Sequence, residues 1–96
     1  MMYTAVDLIS VTMTTDAGGF ERREESRRRV LCERKSVTGK EFYSAVGAGI
    51  AVDCIVSLNA FEYHDEPEFE MGGRRYSVAR TYQIRDRIEL TAALRR

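Results

Sequence analysis

His64 and Asp65 are the only side chains whose types and adjacency suggest acid–base chemistry. A general base must lie within hydrogen-bond reach of the group that orients it. Neighbours in extended backbone point to opposite sides, so this pair is poorly placed as a dyad. A solvated loop histidine is the expectation. Cys32 and Cys54 are the only cysteines. Either would need a partnered base to act as a nucleophile, and one histidine in an acidic stretch supplies no triad. There is no C-x-x-C spacing, and a single histidine completes no Cys/His zinc set. Reduced, partly buried thiols are expected rather than a disulfide. From 62 to 70 the chain gathers Glu62, Asp65, Glu66, Glu68 and Glu70 without a Lys or Arg. The spaced ligands of a calcium loop are missing, and charge that guards a sheet edge is the plainer reading. Gly39-Lys40 lacks both the upstream glycine and the following Ser/Thr of a phosphate loop. The expectation is no catalytic residue, no metal, no cofactor and no enzymatic activity.

The elements that must carry these residues are strands. Glu68 and Glu70 alternate with Phe69 and Met71. After Gly72-Gly73, Tyr76, Val78, Arg80, Tyr82 and Ile84 fall on one row, against Ser77, Ala79, Thr81 and Gln83. A period of two is strand geometry. The glycine pair suits the positive φ angles of a two-residue hairpin turn. A turn at Arg85-Asp86 then leads to Ile88, Leu90, Ala92 and Leu94. The last third is thus a three-stranded antiparallel meander with one apolar face, which other segments must cover. Arg80 stands on that apolar row, where a buried guanidinium would need a carboxylate within the subunit or across an interface.

Residues 4–14 are rich in β-branched side chains and favour a strand. Their apolar side switches between Val6/Leu8 and Ile9/Val11, which predicts a bulge or cover on both faces. Asp16-Ala17-Gly18-Gly19 is a turn signal. Residues 20–35 are ambiguous: Glu24–Arg28 and Glu25–Arg29 have helical spacing, yet no apolar stripe follows. The alternative is a charged strand returning on residues 4–14. Thr38 and Glu41 have the spacing of a capping box, predicting one short helix from about Thr38 that ends near Gly47 and Gly49. Ile50 to Ala60 reads as a buried strand, and Pro67 marks a sheet edge or a strand start. The fold class is mainly β: a small antiparallel barrel or sandwich of about six strands with one short α-helix.

The 96 residues make one domain, residues 1–96. Fifteen basic and fifteen acidic side chains leave no net charge, which disfavours a nucleic-acid binder acting through bulk positive charge. No apolar run is long enough to cross a bilayer, and no basic-then-apolar leader is visible.

Lys35-Ser36-Val37-Thr38-Gly39-Lys40-Glu41-Phe42-Tyr43-Ser44-Ala45, then Gly49-Ile50, then Gly72-Gly73-Arg74-Arg75-Tyr76-Ser77-Val78-Ala79-Arg80-Thr81-Tyr82, then Asp86-Arg87-Ile88-Glu89-Leu90 resembles the head–tail joining (head–tail adaptor, or head-completion) proteins of long-tailed bacteriophages and prophages. The resemblance runs over nearly the whole chain. Family members often carry a proline just after the helix, where this chain has Ala51-Val52-Asp53. The resemblance implies a β-barrel that assembles as a ring under the portal, retains packaged DNA and presents a docking surface to the tail. It implies a strand for residues 20–35, and a channel-facing or neighbour-contacting connection over 36–52. The partners implied are other copies of the chain, the portal or adaptor protein and the tail terminator protein, with DNA passing through the channel without sequence-specific binding. The subunit can be monomeric when isolated. The implied location is the virion, after synthesis in the host cytoplasm, with no membrane. Phe42, Tyr43, Arg74, Arg75 and Arg80 are the candidate interface residues. The alternative from a different class is an OB-like barrel module for single-stranded nucleic acid or a protein partner, which would interleave aromatics with basic residues on one sheet face.

Overall fold

Alternation of apolar and polar residues makes several strands two-faced, and the chain buries the apolar faces by rolling its sheet into a closed cylinder. In the computed structural model, which describes residues 3–36, 47, 49 and 52–95, six strands follow in order: β1 (Tyr3–Thr15), β2 (Glu21–Lys35), β3 (Cys54–Asn59), β4 (Glu68–Met71), β5 (Arg74–Ile84) and β6 (Arg87–Leu94). They close as a barrel in the order β1-β2-β3-β6-β5-β4, with every pairing antiparallel. A single 3-10 turn, Ala60–Glu62, follows β3. The short helix expected from Thr38 lies outside the described residues.

Residues 20–35 are strand. The long hairpin of β1 and β2 keeps one register from Tyr3↔Glu33 to Thr15↔Glu21. Cross-strand pairing of Thr and Val with alternating charges replaces the helical Glu–Arg pairs that local spacing suggested. The turn is built by Asp16, whose Oδ1 accepts from the N–H groups of Gly18 and Phe20 at 2.9 and 3.0 Å. Gly19 takes φ +80°, where a Cβ would be strained. β4 meets β1 only over Asp7–Ile9, and β3 meets β2 only over Glu33–Lys35. The far part of the hairpin therefore leaves the barrel as a two-stranded ribbon. Six residues from Ser10 to Thr15 give it a reach of roughly 20 Å. That arm explains why the molecule measures 51 × 28 × 26 Å.

The C-terminal meander matches the alternation. Gly72 and Gly73 take φ +60° and +77° at the β4–β5 turn, and Arg85 takes φ +55° at the next. One expectation is corrected. A bulge at Ala79 shifts the β5–β6 register from Val78↔Ala92 to Arg80↔Thr91. Tyr76 and Val78 face the core, but Arg80, Tyr82 and Ile84 turn outward and are exposed. Arg80 is thus not buried on an apolar row, and it makes no ion pair among the described residues.

The core holds Val6, Leu8, Val30, Cys32, Cys54, Val56, Leu58, Phe69, Met71, Tyr76, Ile88, Leu90 and Ala92. Phe69 is fully buried and stacks on Tyr76, with ring centroids 5.3 Å apart and planes 19° from parallel. The switch of apolar side in β1 is cover on both faces, since its register with β2 contains no bulge. Ile9 faces outward between Arg27 and Glu68 and is nevertheless fully buried. Replacing Phe69 with Ala should cost about 3–5 kcal/mol of unfolding free energy, read as a fall in the urea midpoint. A loss below a third of that would mean that the Phe69–Tyr76 stack is not the centre of the core.

Candidate interaction surface

Of the acidic run read as edge protection, Glu66, Glu68 and Glu70 are instead held in ion pairs, while Glu62 and Asp65 make none among the described residues. β4 is flanked on both sides, by β1 and β5. Its outward residues are Glu68 and Glu70, which stand opposite the outward arginines of β2 across β1. Glu68 is buried and meets Arg95 at 2.5 Å, Arg75 at 3.2 Å and Arg23 at 3.5 Å. Arg75 also holds Glu25 at 2.5 Å. Arg27 spans Glu70 at 2.8 Å and Asp7 at 3.7 Å, and Asp7 takes Arg29 at 2.9 Å. Opposite charges two and three strands apart thus meet across the outer face on the side of Ile9. The hydrogen bond from Arg29 holds the Asp7 carboxyl below its ordinary value. Arg75 does the same for Glu25, while Glu25 raises Arg75. The Nε of Arg75 is buried without a partner among the described residues.

A second acid, Glu66, closes one end of the barrel. It is 5% exposed. Its carboxylate accepts from Arg28 at 2.7 Å and from the His64 N–H at 2.6 Å. The Arg28 guanidinium also donates to the Glu62 carbonyl. The Tyr63 hydroxyl donates to the Glu66 carbonyl at 2.7 Å. Arg28 points to the inner side of β2, where Ser10, Ser26 and His64 line the space beside it. The His64 ring is exposed, and the His64–Glu66 contact is made by the backbone.

The opposite end is different. A pocket of about 310 Å³ is lined by Tyr3, Thr4, Arg34, Met71, Gly72, Arg74 and Tyr76. Arg34 and Arg74 are exposed there, and neither guanidinium has a partner among the described residues. The floor, Met71 and Tyr76, belongs to the core.

The candidate interface residues do not form one patch. Arg75 is occupied in the network, Arg74 lines the end pocket, and Arg80 lies on the outer face with Val52, Ile55, Tyr82, Glu89 and Thr91. Phe42 and Tyr43 lie outside the described residues. Of the two tyrosines near arginines on the C-terminal meander, Tyr82 is exposed beside Arg80, while Tyr76 is buried on Phe69. Reading the sequence missed Glu66 and Glu68 as ion-pair centres. The available signal was the acidic run without a local cation, against a β2 with a net charge of +3 over residues 21–35.

Both thiols point into the barrel. Burial pushes Cys32 up to about 12 and Cys54 up to about 11. They are free and protonated at neutral pH, the reverse of an activated nucleophile. No group of three or more His, Cys, Asp or Glu among the described residues could hold a metal ion. Comparison with protein-family models, curated proteins and solved structures finds no match to this chain.

Two outcomes are expected. The folded protein should resist alkylation at Cys32 and Cys54, and both should react once denaturant opens the barrel; rapid labelling of either in the native state would contradict their burial. The lowered carboxyls set an acid limit. A group with a depressed folded pKa stabilises above its unfolded value and ceases to do so as pH falls through the folded one. The urea midpoint should therefore decline as pH drops below 4.5 and 3.8, the ordinary values for Glu25 and Asp7. An Asp7→Asn/Glu25→Gln variant should begin less stable and decline less steeply. An equal slope in variant and wild type would remove these two groups from the explanation.

Proposed function

We propose that this protein is a non-catalytic structural component of a phage virion, a subunit of the head–tail connector ring that retains packaged DNA below the portal and receives the tail. The observation that carries this reading is the architecture: a small closed barrel whose β1–β2 hairpin runs on as a long arm. This is the type of fold that the ordered resemblance from Lys35 to Leu90 implies, with the strand it implies over residues 20–35. A small subunit repeated around an axis can line a channel and present one surface many times. Individually weak contacts suffice once a template gathers many of them, so the free subunit can remain monomeric at low concentration. The buried, protonated thiols and the solvated His64 support a role without chemistry.

The test is deletion of the gene in its parent phage or inducible prophage. Heads should fill with DNA and then leak it, and free tails should accumulate. Intact tailed particles, or a block before packaging, would refute the assignment.

A further inference from the structure

The barrel has chemically opposite ends. At one end Arg34 and Arg74 stand without partners around the pocket floored by Met71 and Tyr76. At the other, the 3-10 turn projects Phe61, 75% exposed, beside Glu62. Asp65 follows at φ +60°, and Asp86 is joined to this segment where its carbonyl accepts from the Ala60 N–H at 2.7 Å. The side chains of Glu62, Asp65 and Asp86 have no ion-pair partner among the described residues. Arg85 makes no ion pair among the described residues, and the Arg87 guanidinium donates to Asn59 and Ser57 rather than to a carboxylate. Many other described charges are used internally, and the unpaired cations of one end are opposite in sign to the unpaired acids of the other.

We propose that copies of this chain join head to tail: Phe61 of one copy enters the Arg34/Arg74 pocket of the next, and Glu62 and Asp65 pair with its two guanidiniums. The pocket supplies an apolar floor for an aromatic ring and two charge-bearing walls for the acids that flank it. An aromatic anchor in a pocket with adjacent arginines is the pattern that concentrates binding energy at interfaces. The two halves lie on opposite ends of one molecule, so the contact is heterologous. Such a contact never satisfies itself in a dimer. It propagates until the accumulated rotation closes a ring, or it runs on as a filament. The proposal rests on the ring reading for its setting, and names the residues through which that ring would join.

Two variants, each disabled at one end, test it. Arg34→Glu/Arg74→Glu removes the pocket's charge. Phe61→Ala/Glu62→Gln/Asp65→Asn removes the plug. All five side chains lie at the barrel's ends and outside its core, and circular dichroism checks that both variants fold. In sedimentation equilibrium the wild type should grow in mass as its concentration rises toward the millimolar range, and shrink again in high salt. Each variant alone should stay monomeric. Their equimolar mixture should form a one-to-one dimer and stop there, since only one intact pocket and one intact plug can meet. A wild type that stays monomeric throughout, a single variant that associates, or a mixture that stays monomeric or grows beyond dimers would each overturn the contact. Its failure is distinct from failure of the connector reading: a monomeric protein whose deletion still gives leaking heads keeps the function and loses this interface.

Discussion

Closure of the barrel depends on the four residues Glu68–Met71. β4 pairs with β1 at three positions and with β5 at four, and in the strand order it alone lies between them. A three-position seam is short for an element that must turn an open sheet into a cylinder. Three features compensate. Phe69 and Met71 place their side chains in the core. Pro67, which has no N–H of its own to give, accepts from the Val78 N–H at 2.9 Å and extends the ladder by one bond. Glu68 then gathers arginines from β2, from β5 and from Arg95 at the chain's end, so the seam is also held from outside.

The outer network should not be read as a sum of strong bonds. Exposed ion pairs are worth about 0–1 kcal/mol each, and several of these arginines are largely in water. The contribution is geometric. Ile9, on the outer face with Arg27 and Glu68 as its cross-strand neighbours, is fully buried, and long arginine side chains that pair over this face can cover apolar surface with their alkyl stems. A charged surface thus hides a second, thin layer of apolar burial. It also gives the β1–β2 arm a fixed direction at its root, before the arm runs into solvent.

Much of this fold was legible from residue order. The meander was readable because Gly72-Gly73 and Arg85-Asp86 punctuate a clean period of two. The strand at Glu21–Lys35 was not decidable locally, because Glu24–Arg28 spacing satisfies a helix face as well as a ribbon; the choice is made by pairing with Tyr3–Thr15, a long-range fact. The acids at 66 and 68 were misassigned for the same reason. A run of carboxylates without nearby cations looks solvated until folding brings Arg23, Arg28 and Arg75 to it. Of the candidate interface, Arg74 lines the end pocket. Arg75 was captured internally, and Arg80 was placed on the wrong face by one unforeseen residue.

That residue, Ala79, shows that a strand has a phase. Upstream of it β5 turns even-numbered side chains to the core, and downstream the odd-numbered Thr81 and Gln83 stand opposite the core residues Leu90 and Ile88 yet stay exposed. Removing a single codon there would restore the original phase and turn Arg80, Tyr82 and Ile84 to the side of Leu90 and Ile88, with Thr81 and Gln83 moving to the opposite side. No set of point substitutions rewrites five surface positions in one step. The outer face of this strand can therefore be exchanged wholesale by an insertion or deletion, with β6 as the unchanged reference against which the new phase is read.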